Sequence, residues 1–496
     1  MTPFALRILS WMEGYLDSET GLLGYPGERG SGSSRYEQKG VPIVRETGLL
    51  AIGLLARDGP GDRSMAARSL AAVLDHQIVR PGSVVHGTFS RSPIEPVPGD
   101  TPREWIDYDP NWREFIGTTL AVILEDFEDR LPAALVTRIE AALRCAVEGT
   151  RQRGVPAAYT NIALMTAFLL DWTGERFGES RWRDEAEALA REVRDGYMRI
   201  GAFPEHNSPT YYGIDLYGLA LWRARAPGDA LRGWGAELEE ALWRDLVRFY
   251  HPGLANLCGP YTRAYGMDML RYVASIGLWI ALAEPEQTPP LPALGRAVDH
   301  AHDFCFAPLF DLLGARPPSD VRESLIRFEG ARDIVQVIAG EPLRRATAWL
   351  DERVMLGGEY TSGRFVNWQH YPATIHWLLP EGGTGWLRLK ANAPVDVVAS
   401  EGKLEIVVHC GAKILRGAEV RVFFEIDAMG AEARIDCRES VWDLTGLRLE
   451  WIIDAEWGPP QPGTEEGGPS RVGWTFDAGR APSSFNVVVA VNTLEA

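Results

Sequence analysis

The side chains that could move protons or hold anions gather in a few short stretches of the chain. "VVHGTFSRSP" (84–93) carries His86, and "YDPNWRE" (108–114) carries Tyr108, Asp109, Asn111, Arg113 and Glu114. "YTN" carries Tyr159 and Asn161, and "EHNSPTYYGID" (205–215) carries Glu205, His206, Asn207, Tyr211, Tyr212 and Asp215. "GPYTRAYGMD" (259–268) adds Tyr261, Arg263, Tyr265 and Asp268, and "NWQHYPATIHW" (367–377) adds Gln369, His370 and His376. A phenol or an imidazole can give or take a proton. Amides and guanidinium groups can hold a carboxylate and stabilise negative charge that develops beside it. A tyrosine acting as a base needs its pKa of ~10 lowered, which a nearby arginine such as Arg263 would do. Part of this has a plainer explanation. Asn, Ser, Thr and Pro cap helix entrances, and Asp215 and Asp268 complement helix dipoles. Tyr217 and Trp222 read as core, and His376, between apolar neighbours, as structural. Capping explains Asn207, Ser208 and Pro209 but not the tyrosines or Arg263.

Other chemistries are excluded by what the sequence lacks. It has no HExxH, no P-loop, no GxGxxG after a strand and no GxSxG elbow. His300 and His302 are the only close histidine pair among nine, so no metal and no cofactor are expected. Five scattered cysteines without a CxxC spacing read as free thiols. Net charge is −18, which argues against nucleic acid or an anionic membrane as a partner. Only Lys39, Lys390, Lys403 and Lys413 are lysines among 50 basic residues. Arginine therefore supplies nearly all cationic groups, and its planar fork matches carboxylates.

The elements that must position these residues follow from periodicity. Apolar spacing predicts helices over 46–57, 63–75, 112–127, 132–149, 159–172, 182–199, 211–225, 229–250 and 265–283. Beyond about 321, period-two segments at 385–391, 403–410, 420–426, 447–454 and 484–492 predict antiparallel strands. The Gly/Ser-rich 27–35 and the Pro/Gly-rich 458–471 read as loops. Asn111, Asn161 and Tyr211 stand 50 residues apart in turn, and Tyr265 stands 53 after Tyr212. A hairpin of two ~18–20-residue helices with its loops has that length. Every second helix would then open on a polar or aromatic cluster. The expected fold is multidomain, α then β: an N-terminal (α/α) hairpin toroid (1–303) followed by an antiparallel β-sandwich (304–496). Inner helices entering from one mouth would aim free N–H groups and positive dipole ends at a ligand, favouring an anionic one.

This arrangement resembles the polysaccharide lyases of the heparinase II/III and alginate lyase type. Those families carry Gly-x-x-x-Glu-x-Ser-Pro-x-Tyr, whose tyrosine is the catalytic acid or base. Here Gly201-Ala-Phe-Pro-Glu205-His206-Asn207-Ser208-Pro209-Thr210-Tyr211 matches with one extra residue between Glu and Ser. The resemblance gives that role to Tyr211, or to Tyr212 if the insertion shifts it. The families also place an Asn-His pair at an earlier helix start; Asn161 fits the amide, but Ile162 stands where the histidine would be. His86 or His206 would then supply the imidazole. "HGTF", "NWREFIGTT", "NSPTYYG" and "GPYTRAYGMDM" are most similar to L-rhamnose-α-1,4-D-glucuronate lyases.

The implied activity is β-elimination on a uronic-acid-containing oligo- or polysaccharide, exo-acting on glucuronate with terminal rhamnose. Tyr211, His86, Tyr265 and His206 are the expected proton-transfer residues. Asn161, Arg263, Asn207, Tyr212, Tyr261, Arg113, Asn111, Glu205 and His370 are the expected substrate contacts. One alternative is a glycoside hydrolase using paired carboxylates ~5–9.5 Å apart, such as Glu205 with Asp268 or Asp109 with Asp215. Another is a carbohydrate-binding protein, for which 17 tryptophans would offer stacking surfaces. The N-terminal stretch shows no secretion signal pattern and the chain no 18-residue apolar run, so the expectation is a cytoplasmic protein.

Overall fold

The computed structural model describes residues 1–27, 36, 38–410, 419–427, 440–453, 461–463, 470–477 and 484–494. Cys437, most of the Gly/Ser-rich stretch and most of the 458–471 loop lie outside the described residues. The chain divides into two compact units. One comprises Met1–Gly196, Tyr211–Leu242 and Met269–Pro317; the other comprises Tyr197–Thr210, Trp243–Asp268 and Pro318–Ala496.

The first unit is helical. Its helices are α1 (Pro3–Glu13), α2 (Val44–Arg57), α3 (Asp62–Leu74), α4 (Trp112–Phe127), α5 (Ala133–Arg153) and α6 (Thr160–Phe177). Then follow α7 (Ser180–Ile200), α8 (Tyr211–Arg225), α9 (Asp229–Phe249), α10 (Ser275–Ala283) and α11 (Ala307–Leu313); α7 and α9 each end in the second unit. A short hairpin pairs β1 (Leu23–Gly24) with β2 (Pro42–Ile43). Two kinds of helix alternate, as their sequences require. In α2 every residue from Val44 to Leu55 is buried, and α4, α6 and α8 are enclosed in the same way. Helices apolar all round must lie inside. By contrast, α5 buries only a stripe containing Leu135, Ile139, Ala142, Leu143 and Ala146. The enclosed helices form a closed ring: α2 packs on α4, α4 on α6, α6 on α8, α8 on α10, α10 on α11, and α11 back on α2. Gly213 permits the close α8–α10 approach, because a Cβ there would run into Ser275. Trp279 Nε1 then donates to the Gly213 carbonyl at 2.7 Å.

The second unit is a β-sandwich. Its strands include the short pair β3 (Tyr250–His251) and β4 (Asn256–Leu257), then β5 (Arg332–Ala339), β6 (Arg344–Leu350), β7 (Val354–Tyr360), β8 (Ala373–Leu378) and β9 (Thr384–Ala391). They continue as β10 (Val395–Ser400), β11 (Lys403–Val408), β12 (Glu419–Asp427), β13 (Val441–Leu444) and β14 (Leu447–Ile453). The last are β15 (Gln461–Gly463), β16 (Ser470–Asp477) and β17 (Phe485–Thr493). The single turn of helix α12 (Arg322–Ile326) precedes β5. An eight-stranded sheet of order β15-β16-β12-β9-β8-β7-β6-β5 faces a five-stranded sheet of order β10-β11-β17-β14-β13, and every described pairing is antiparallel. Alternate side chains of β12 and β17 enter one shared core with Ile375, Leu387, Val397 and Leu404. The expected fold class, helical hairpins and then antiparallel sheets, is the observed one.

Two predicted elements are corrected. Within the loop expected over 458–471, Gln461–Gly463 form β15 and β16 begins at Ser470. The helix expected over 265–283 spans only Ser275–Ala283. Upstream, backbone groups pair with distant segments instead of with residue i−4. Ala264 N donates to Gln369 O at 3.1 Å, Tyr261 exchanges bonds with Tyr371, and Val273 N donates to Asp299 O at 3.0 Å. Satisfying those groups across the fold removes the reason to coil. Tyr265 and Asp268 therefore do not open a helix, and their likeness to Tyr212 and Asp215 is not a structural repeat.

Two buried histidines of the second unit make its stability sensitive to acid. His376 Nε2 lies 2.8 Å from the Met267 carbonyl, while His251 Nε2 lies 2.9 Å from the Asp351 carbonyl and its Nδ1 accepts from Leu254 N. Burial pushes both rings down to about 4. Native rings stay neutral to that pH, whereas unfolded ones take a proton near 6.5. Unfolding thus binds protons between those values, and stability falls as pH falls. Each ring contributes up to about 1.4 kcal/mol per pH unit. Urea titrations from pH 7.5 down to 5 should show this slope, and His376→Gln should flatten it. A slope unchanged in that variant would refute the assignment.

Candidate functional site

In the first unit, the entrances of α2, α4 and α6 lie beside one another. Arg45, near the start of α2, stacks its guanidinium over Trp112 at the start of α4, 4.7 Å from the ring centroid, and over Phe115 and Phe306. Its Nε donates to Glu46 Oε1 at 2.7 Å and its Nη2 to Asp303 Oδ1 at 3.3 Å. Asn111, at the N-cap position of α4, donates Nδ2–H to the Tyr159 hydroxyl at 2.9 Å and accepts from Arg153 Nη1 at 2.8 Å. Tyr159 precedes α6, so this amide ties two helix entrances and an arginine together. Asn161 is buried one residue into α6. Tyr211 opens α8 and keeps partial exposure, whereas Tyr212 is fully buried.

Asp109, just before α4, carries a strongly perturbed carboxyl. The residue keeps some surface, but its carboxylate is desolvated, which raises it to about 6 against opposing pulls from Asn111 N–H, Arg91, Arg45 and Arg153. Burial also raises Glu114, whose Oε1 accepts from Thr150 at 2.8 Å. Beyond Arg45 lies a group the sequence reading passed over as a metal or catalytic set. His300 Nδ1 is 3.4 Å from Asp303 Oδ2 and His302 Nε2 is 3.5 Å from Asp303 Oδ1. The Tyr25 hydroxyl is 3.3 Å from His302 Nδ1. Burial opposes the charge on Asp303, but the two imidazoles and Arg45 outweigh it and hold the carboxyl at about 2.

Two expected residues of this unit are fastened to the frame. Arg113 is buried, and its guanidinium donates to the carbonyls of His86, Pro110 and Val84. His86 is buried too; Nε2 is 3.1 Å from Glu148 Oε2, and Nδ1 accepts from Arg80 N. A Cβ on Gly149 would collide with the His86 carbonyl, so α5 presses directly on this loop.

The remaining expected residues belong to the second unit, where Glu205, Arg263 and His370 are held in ion pairs. Arg263 Nη1 donates to Glu205 Oε1 at 2.6 Å, and its Nε donates to Gln369 Oε1 at 2.9 Å. His370 Nε2 is 2.9 Å from Glu359 Oε2, and Arg344 Nε donates to Glu359 Oε1 at 2.7 Å. Burial works against the Glu359 charge, but His370 and Arg344 hold it at about 2. His206 is buried 3.8 Å from Asp245, and burial lowers its pKa. Asn207 adopts a left-handed φ of 52°, which asparagine tolerates, and its amide holds the carbonyls of Cys258 and Pro260. Tyr261 is buried with its hydroxyl on the Leu257 carbonyl, and Tyr265 is exposed on a loop.

The structure thus sets Asn111, Asn161, Tyr211 and Tyr212 in the helical unit and Glu205, His206, Asn207, Tyr261, Arg263, Tyr265 and His370 in the sandwich unit. The sequence reading missed Arg45, Arg153, Tyr25 and Asp303 as site residues. The available signal was "HAHD" at 300–303, an unusual run just before α11.

The family described as "Domain of unknown function (DUF8769)" matches residues 5–315. Among solved structures, the chain is similar to a heparinase III gene product, with 9% identity, TM-score 0.37, and coverage of 98% of this chain and 84% of that one. It is also similar to a protein named as a glycoside hydrolase, with 11% identity, TM-score 0.28, and coverage of 90% and 72%. A third is the endoglucanase CelQ from Clostridium thermocellum, with 10% identity, TM-score 0.28, and coverage of 99% and 92%. No curated protein matches the chain. Among the described residues, no helix is long and apolar enough to cross a membrane.

Proposed function

We propose that this chain, which belongs to the DUF8769 family, is an enzyme acting on glycans, and that it cleaves a uronic-acid-containing oligosaccharide by β-elimination. The observation that carries this reading is the mouth at the α4 and α6 entrances, where Asn111 holds both Arg153 and the Tyr159 hydroxyl, with Asn161 buried at the start of α6 and the partly exposed Tyr211 at the start of α8. Such a mouth favours an anion, and a uronate carboxylate is the anion a lyase must neutralise. Elimination removes the C5 proton and expels the C4 oxygen. Negative charge shifts onto the carboxylate as the proton leaves, so donors there act most strongly in the transition state. Asn161 and Arg153 are our candidates for that contact, and Tyr211 is our candidate for the proton. Asn111 acts as a positioning residue, because it holds both Arg153 and Tyr159. Glucuronate bearing terminal rhamnose is the substrate we favour, on the likeness of the "HGTF", "NWREFIGTT" and "NSPTYYG" stretches to lyases of that type.

A second reading rests on Asp109. A carboxyl raised to about 6 can be a general acid near neutral pH, as glycoside hydrolysis requires. Reaction in heavy-oxygen water separates the two. Hydrolysis places solvent oxygen in a product, and elimination places none. Unlabelled products lacking the elements of water would support the lyase, and labelled products would overturn it.

A further inference from the structure

We propose that His300, His302 and Asp303 form a binding site for a divalent first-row transition metal ion, with zinc as the best-matched occupant. One donor atom from each residue lies within 4.8 Å of the others, and this is the only such group of three among the described residues. The spacing fits ligands better than hydrogen bonds. His300 Nδ1 stands 3.4 Å from Asp303 Oδ2, and His302 Nε2 stands 3.5 Å from the other carboxylate oxygen, Oδ1. Good hydrogen bonds between nitrogen and oxygen run about 2.7–3.2 Å. Two ligand atoms each ~2.1 Å from one ion at a tetrahedral angle stand about 3.4 Å apart.

The surroundings resemble the outer shell of a metal centre. A ligating imidazole ordinarily engages its second nitrogen with an oxygen, which fixes the tautomer. Tyr25 Oη lies 3.3 Å from His302 Nδ1, leaving Nε2 toward Asp303. Arg45 Nη2 donates to Asp303 Oδ1 and so orients the carboxylate. Arg45 also pairs with Glu46, so one arginine stands against two carboxylates. With neutral imidazoles the group carries a formal charge of −1, which a dication complements. His300 is held at φ 58°, a left-handed conformation that is uncommon for a residue with a side chain; the fold keeps it there, turned into the group. Two imidazoles and one carboxylate select a borderline ion over calcium or magnesium, which prefer all-oxygen shells. Three protein ligands leave positions open for water or substrate. This inference stands on donor geometry and does not depend on the β-elimination reading.

The test uses the full, tag-free chain after chelator treatment and desalting. Zinc chloride is titrated by calorimetry, and cobalt(II) chloride by visible absorbance. We expect one ion per chain, with cobalt bands typical of four- or five-coordination. His300→Gln, at a partly exposed position, should weaken binding at least about tenfold while its metal-free unfolding midpoint matches wild type. Tyr25→Phe should weaken it about tenfold through the outer shell. Absence of saturable binding of either ion would overturn the site. Equal affinity in wild type and His300→Gln would also overturn it, because the ion would then be held elsewhere. Neither readout involves substrate, so failure here is distinguishable from failure of the lyase reading.

Discussion

Tyr211→Phe is expected to lower kcat roughly 10²- to 10⁴-fold with little change in KM, because removing a proton-transfer group costs the transition state and not ground-state binding. Tyr211 opens α8 with partial exposure, beside a residue that offers a built-in control. Tyr212 is fully buried, so Tyr212→Phe should cost stability and leave kcat within about tenfold of wild type. Initial rates on a glucuronate oligosaccharide, with unfolding midpoints for both variants, check this. If Tyr211→Phe retained more than about a tenth of the wild-type kcat, the phenol would not be the proton-transfer group. If Tyr212→Phe alone abolished turnover, the extra residue in "EHNSPTYY" would have shifted the role by one position.

The second large effect is on stability. Arg45→Met should destabilise the protein by about 3–5 kcal/mol, because it leaves Glu46 and Asp303 buried beside a neutral side chain. Methionine keeps much of the packing against Trp112, Phe115 and Phe306, so the loss reports mainly on the stranded charges. Arg45→Lys should fall between the two, retaining charge but not the planar stack and fork. Urea unfolding measures both. A loss under about 1 kcal/mol for Arg45→Met would show that these carboxylates are solvated.

Much of the fold was legible in the sequence, because enclosed helices and half-buried strands leave opposite periodic traces. Residues 112–127 and 211–225 were predicted with the same bounds that α4 and α8 have. The stretch before α10 failed because the backbone there bonds outside its own segment, Val273 to Asp299 and, just upstream, Tyr261 and Ala264 to Tyr371 and Gln369, and such partners leave no local trace. Strands β7 and β8 escaped for a different reason. Both are buried on nearly every residue, so they show no alternation.

The same contrast holds for the candidate site. Asn111, Asn161 and Tyr211 stood out because each interrupts an apolar run at a helix entrance. Arg45 reads as an ordinary cap-region residue, since its partner Asp303 is 258 positions away. Arg113, conspicuous in "NWRE", proved to be spent on three carbonyls. Its role was invisible without knowing which loops it would meet.

The most direct test of the central claim is the ultraviolet absorbance of unsaturated uronates. It would be followed while the wild-type protein acts on a panel of glucuronate-, mannuronate- and galacturonate-containing oligosaccharides. β-Elimination predicts a time-dependent rise on at least one substrate, with glucuronate bearing terminal rhamnose the strongest, and no rise with Tyr211→Phe. New reducing ends without any rise would contradict the account and move the chemistry to Asp109 and a hydrolytic mechanism.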